Sequence, residues 1–298
     1  MHLCGVHTLD MSGCRQSTIT DSAFVHLRGI HSLQMGGCCQ VTISDAAFAY
    51  LCGVHTLDLQ RCCQITDAAF VHLHRINTLN INDCCQATIT DAAFVHLRGI
   101  HTLYMEGCDQ FTITDAAFFD LQGIHTLHMR SCGQVTDAAF VHLHGIHTLN
   151  MRGCRQATIT DAAFVQLNGI HTLDMSFCTQ TTITDAAFVH LRGIHELSMS
   201  HCIQSTITDA VFAHLLGIHT LDIQACSQVT ITDAAFVHLR GIYSLNMREE
   251  TITDAAFVHL SGIHILDMSY CYQTTITEAT FVHLRGIHSL EWYKREGF

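Results

Sequence analysis

The chain is predicted to fold as an α/β repeat solenoid, because one short pattern recurs from its first residues almost to its last. The leucine of Ile-His-Thr-Leu-x-Met stands at Leu9, Leu33, Leu57, Leu79, Leu103, Leu127, Leu149, Leu173, Leu197, Leu221, Leu245, Leu266 and Leu290. Most steps are 24 residues, two are 22 and one is 21. Units of this length bury an apolar side only by stacking on neighbours. Each unit joins a strand-type alternation to a short helix-type segment. There is no proline and no low-complexity linker between copies, so residues 1–298 are read as one repeat domain.

The copy Ile89–Gln110 shows the parts. Ile100-His101-Thr102-Leu103-Tyr104-Met105 alternates apolar and polar residues, the period of a half-buried strand. Ile100, Leu103 and Met105 should face the core, and Thr102 and Tyr104 the other side. Before the strand, Thr90 to Gly99 carries helix signals at both ends. Thr90 is an N-cap, Asp91 suits the positive end of the helix dipole, and Gly99 suits a left-handed turn. A helix of about two turns cannot stand alone in water, so it must pack on the strand layer. Arg75 replaces the glycine in His-Leu-His-Arg-Ile, and that turn should be strained or differently shaped. The copy at Met247–Thr251 is short and lacks the cysteine and glutamine, which predicts an interrupted ladder.

These residues carry a family resemblance. Leu97-x-x-Ile100-x-x-Leu103-x-Met105-x-x-Cys108, together with Ile-Thr-Asp-x-x-Phe-x-x-Leu, resembles the cysteine-containing leucine-rich repeat, which includes the substrate-binding repeats of F-box leucine-rich-repeat proteins. It departs from that pattern in using Met and Phe where Leu is usual, and in two extra loop residues in most copies. The resemblance implies a horseshoe with a concave parallel sheet of about 13 short strands and short helices on the convex side. It also implies a protein-binding role and, carried further, that of the substrate-recognition module of a ubiquitin ligase. No F-box stands upstream of Leu3.

The ends differ from the middle. Residues 2–5 read as the tail of a repeat helix with no cap ahead of them, and an open core edge invites self-association. Residues 291–298, with Trp292, break the pattern and could form a cap. No run is long enough to cross a bilayer, and the first residues lack the basic start and apolar core of a signal peptide. A cytoplasmic or nuclear protein is expected.

Composition narrows the function. Net charge is −12 with only 14 Lys and Arg, which argues against a phosphate-tracking surface and so against nucleic acid as partner. Of the 16 cysteines, eleven recur at one position from Cys14 to Cys271, as packing residues would. Cys39, Cys63 and Cys85 each follow that position in successive copies and are the candidates for a metal or redox site. The 25 histidines form one row before the strands and another on the helices, which predicts stability that falls as pH drops through the histidine range. No phosphate loop, nucleophile elbow or zinc-protease motif is present, so neither an enzyme nor a cofactor is expected.

Comparison among copies locates the candidate face. The positions of Ile100, Leu103, Met105, Cys108, Phe94 and Leu97 hardly vary, whereas those of Tyr104, Glu106, Gly107 and Asp109 do. A constant scaffold with a variable face suits a protein partner. The candidate binding residues are Tyr104, Glu106, Asp109, His128, Arg130, Arg152, Arg155, Asp174, Phe177 and His201, rich in the residue types that anchor interfaces. Asp267, Tyr270, Tyr272 and Trp292 make a second cluster.

Overall fold

Each repeat folds as its alternation dictates: three or four residues of strand, a tight turn, a loop, and a helical turn that leads back to the next strand. The computed structural model describes residues 5–226, 229–248, 251–269, 271 and 273–292. The chain divides into two compact units, residues 1–146 and 147–298.

In the first unit six strands pair in parallel and in sequence order: β1 (Thr8–Asp10), β2 (Ser32–Gln34), β3 (Thr56–Asp58), β4 (Thr78–Asn80), β5 (Thr102–Tyr104) and β6 (Thr126–His128). The second has seven: β7 (Thr148–Asn150), β8 (Thr172–Asp174), β9 (Glu196–Ser198), β10 (Thr220–Ile223), β11 (Ser244–Met247), β12 (Ile265–Asp267) and β13 (Ser289–Glu291). Leucine meets leucine across every pair within a unit, as in Leu79↔Leu103. The strands are shorter than the alternating run because the chain turns immediately after Tyr104.

The helical segment is a single α-helical turn, Asp91–Phe94, continued by a 3-10 turn, Val95–Leu97. Thr90 caps it, its hydroxyl accepting the Ala92 N–H at 3.1 Å. Gly99 follows at φ +80°. Phe94, Leu97, Leu103 and Met105 are all buried, and equivalent phenylalanines fill each unit's core. The alanine-rich first turn lets phenylalanine approach the strands closely; Ala93 is fully buried.

Side-chain ladders tie consecutive repeats together. Cys108 donates its thiol hydrogen to the Ile81 carbonyl at 3.2 Å, and Cys178 does the same to Met151 at 3.3 Å. Burial pushes these thiols up, Cys84 to about 12, so they are packing groups and not nucleophiles. Gln110 donates its amide to the Cys84 carbonyl at 3.1 Å. The acidic residue after each cap does more than suit the helix dipole. Asp91 accepts both the backbone N–H and the hydroxyl of Thr114, each at 2.7 Å, and so holds the next repeat's cap in place. The same clamp joins Asp185 to Thr208 and Asp254 to Thr277. The Thr277 bonds hold the Asp254 carboxyl below its ordinary value.

One expectation is corrected. The short copy does not interrupt the strand ladder: β11 pairs in register with both β10 and β12. Its deletion falls in the loop, where Thr251 still bonds the Ile231 carbonyl and Thr253 N–H still reaches Asp233 at 2.8 Å. The Cys271 thiol reaches the Met247 carbonyl at a longer 3.6 Å. Arg75 forms the same turn as the glycines, at φ +70°, and is therefore strained but not differently shaped.

Candidate functional site

The last strand position sets up the candidate face. An aspartate or asparagine there bends back to accept the N–H two residues on, as Asp174 does from Ser176 at 2.9 Å and Asn80 from Asn82 at 2.9 Å. Tyr104 cannot do this, having no short acceptor. The Glu106 N–H is instead accepted at 2.7 Å by Asn82 of the preceding repeat. Part of the copy-to-copy variation is therefore a choice between capping the turn and presenting a large side chain.

In the first unit Tyr104 and His128 are adjacent in register, their rings 4.6 Å apart and tilted. Glu106 Oε1 lies 3.4 Å from His128 Nδ1. These three line an open recess of about 490 Å³ on the strand face together with Asp58, Asn80 and Asn82. Arg130 lies on an adjoining recess of about 420 Å³ that shares Asn82 and Glu106 with the first and adds Arg61 and Asp83, which pair at 3.0 Å. Asp109 is exposed beside Cys85.

In the second unit the grouping is tighter. Phe177 and His201 stack at 4.2 Å and 17°. Arg152 lies over the Phe177 ring at 4.5 Å, and Arg155 at 5.9 Å, a cation–π arrangement. Arg155 also donates to the Phe177 carbonyl at 3.1 Å. Phe177 and His201 both have left-handed backbone, φ +60° and +57°. Glycine occupies this turn position at Gly13, Gly37, Gly107 and Gly153. A bulky residue there is conformationally costly.

Beside this stack runs a polar chain that sequence reading missed. Ser176 and Ser198 hydroxyls are 2.7 Å apart, and Ser198 donates to Asp222 at 3.1 Å. Burial pushes the Asp222 carboxyl up, against its bonds from Gln224 and Ser198, with the Asp174 charge adding to the rise. Asp222 could have been found by register, since it occupies the position of Tyr104 in its own copy.

Of the second cluster, Asp267 caps its turn through the Ser269 N–H at 2.8 Å, and Trp292 lies 5.0 Å from Phe281. Tyr270 and Tyr272 lie outside the described residues, as do 293–298 of the expected cap. At the start of the first unit, Leu9, Met11, Ile19, Ala23, Phe24 and Leu27 line an apolar recess of about 240 Å³. Cys39, Cys63 and Cys85 are exposed thiols. Among the described residues no three His, Cys, Asp or Glu side chains converge as a metal site would require. Among them also no helix is long and apolar enough to cross a membrane.

The histidine row before the strands is a stack. His101 and His125 rings are 4.5 Å apart, and His147, His171, His195 and His219 continue at the same spacing in the second unit. Tyr243 takes a place in it without a break.

Comparison with known proteins agrees with this architecture. The family model described as BspA type leucine rich repeat region matches residues 17–147 and 157–288, in six copies. No curated protein sequence matches the chain. Among solved structures, the chain resembles TLR13 from its complex with ssRNA13, at TM-score 0.73 and 18% identity over 91% of this chain and 40% of that one. It resembles Toll from the Drosophila Toll–Spatzle complex at TM-score 0.68 and 13% identity, over 96% and 43%. It also resembles a chain of the yeast Rad7–Elc1 complex at TM-score 0.58 and 15% identity, over 91% and 83%. The chain thus spans less than half the length of the two receptor chains. At these identities the likeness is one of fold.

Proposed function

The chain belongs to the BspA-type leucine-rich repeat family, and from that premise we propose a non-catalytic interaction scaffold that holds a protein partner on its strand face. The observation that carries this reading is the Arg152–Phe177–His201 stack. A non-glycine residue in left-handed backbone costs about 1–2 kcal/mol. Phe177 and His201 both incur that cost where other copies have glycine, and in return present a half-exposed aromatic pair under an arginine. Arginine and aromatic anchors of this kind dominate interface energetics. In the first unit Tyr104, Glu106 and His128 offer a second contact region.

Protein is favoured over nucleic acid by the net charge of −12. Spatzle and Elc1, in the complexes above, stand as examples of proteins found with such folds. The cysteine pattern and the likeness to the Rad7–Elc1 structure support a finer reading, in which the scaffold recruits substrates to a ubiquitin ligase. The reading includes a single repeat domain over 1–298 and a cytoplasmic or nuclear setting, the latter supported by free buried thiols such as Cys108 and Cys178. The apolar recess at Leu9 and Phe24 supports self-association through that end.

The test is affinity capture from source lysate with wild type, Phe177→Gly/His201→Gly, and Tyr104→Ala/His128→Ala. Loss of one shared partner by at least about tenfold in the first variant is expected. Identical recovery by all three proteins would remove the strand face as the binding surface. Increased ubiquitylation of the captured partner on co-expression would support the finer reading, and unchanged ubiquitylation would count against it.

A further inference from the structure

The side chain after the ladder cysteine has a habitual partner. Cys39 donates to the carbonyl of Arg61 in the next repeat at 2.9 Å, Cys85 to that of Gly107 at 3.0 Å, and Arg155 to that of Phe177 at 3.1 Å. Cys63 breaks the rule. Its thiol turns back and bonds the Arg61 carbonyl of its own repeat at 3.4 Å. Two thiols from adjacent repeats therefore share one oxygen, and their sulfurs are no further apart than those two bonds laid end to end. Both cysteines are exposed. Parallel strands of neighbouring repeats bring such positions to separations a disulfide can span.

We infer that Cys39 and Cys63 form a vicinal dithiol that closes to an inter-repeat disulfide on exchange with a low-molecular-weight disulfide such as oxidised glutathione. One protein thiolate attacks the small disulfide, forming a mixed disulfide and releasing one thiol. The second protein thiol loses its proton and attacks the cysteine sulfur of the mixed disulfide, forming the protein disulfide and expelling the other small thiolate, which takes up the proton. Two protein thiols and one disulfide give one protein disulfide and two small thiols.

The geometry also says which cysteines stay out. Cys38 and Cys62 are buried in the ladder and bonded to Met11 and Met35 carbonyls. Cys85 faces Gly107 and lies near Asp83 and Asp109, whose charges oppose a thiolate there, after the larger effect of burial. Burial and the neighbouring Cys39 thiol push Cys63 up. An intracellular setting would make the disulfide a reversible switch and not a structural staple.

The experiment treats the full chain with oxidised glutathione and digests it with trypsin under non-reducing conditions. Cleavage after Arg61 places Cys39 and Cys63 on different peptides, so the cross-link appears as a joined pair that dithiothreitol separates. Wild type and Cys85→Ser should give the pair in equal yield, independent of protein concentration. Cys39→Ser and Cys63→Ser should lose it and retain glutathione on the remaining thiol. A wild-type protein that only accumulates glutathione, or a cross-link that survives in either variant, would overturn the assignment.

Discussion

Two turns flank a strand, and among the described residues both carry a residue with positive φ in copy after copy, yet they tolerate sequence very differently. The turn before the strand is glycine in every described copy except one, Arg75, with glycine φ between +78° and +89°. The turn after it is glycine in four copies, and Arg61, Asp83, Ser131, Phe177, His201 and Ala225 elsewhere, at +57° to +60°. Space does not explain the difference, since a Cβ at Gly99 would meet nothing within 4 Å. The dihedrals do. Arg98 at φ −55°, ψ 126°, followed by Gly99 at +80°, makes a type II turn closed by Ile100 N–H to Leu97 carbonyl at 2.9 Å. The later turn can settle near φ +57°, the left-handed well that L-residues reach at modest cost. The chain is thus free to vary on one side of the strand and not on the other.

The largest expected effect sets the two turns against each other. Gly99→Ala should lower stability by about 2 kcal/mol, and Gly37→Ala by about 1 kcal/mol, read from urea midpoints. Equal losses would break the distinction. Phe177→Gly relieves left-handed strain and should raise stability by about 1 kcal/mol while weakening partner capture. A variant both less stable and unimpaired in capture would mean the ring serves packing alone. Arg75→Gly should also stabilise, by up to about 1 kcal/mol, with capture untouched.

The smallest effect concerns the histidine stack. Burial, then the charges His55 and His7 would carry, hold His31 below the ordinary histidine value of 6.5. The unfolded chain then takes up the proton more readily than the folded one. Stability from this group is full above that value and is lost as pH falls below it. Urea midpoints should drop between pH 7.5 and 5.5, and His31→Asn should lessen the drop. Asn77 already fills the equivalent place in another copy. A pH-independent wild type would exclude the stack as a source of acid sensitivity.

The repeat, its strand, its cap and its glycine turn were legible because each rests on local pattern: alternation around Leu103, Thr90 before Ala-Ala-Phe, Gly99 after Leu97. What stayed hidden depends on contacts between residues a repeat apart. Asp91 reads as a helix-dipole residue until Thr114 is seen on its carboxylate. Tyr104 and Asp174 look like equal members of a variable face, but one presents a ring and the other caps a turn. Cys39, Cys63 and Cys85 form a regular series in sequence, and only the direction of the Cys63 thiol separates a pair from the third.

The clamp of aspartate on threonine gives the solenoid an arrow. In the core ladders the donors belong to the later repeat and their acceptors to the earlier, Cys108 to Ile81, Gln110 to Cys84 and Thr114 to Asp91, whereas the loop side chains Cys39, Cys85 and Arg155 reach the other way. Thr20, with no such aspartate before it among the described residues, turns its hydroxyl to Ser22 at 2.8 Å and caps nothing. Cys14 likewise turns to Gln16 of its own repeat. A repeat therefore inherits the start of its helix from the one before. Cutting ahead of a repeat strips its cap, thiol and glutamine of partners, whereas cutting behind it frees the exposed loop donors and the strand-end N–H groups, such as that of Met105, which bonds the His128 carbonyl.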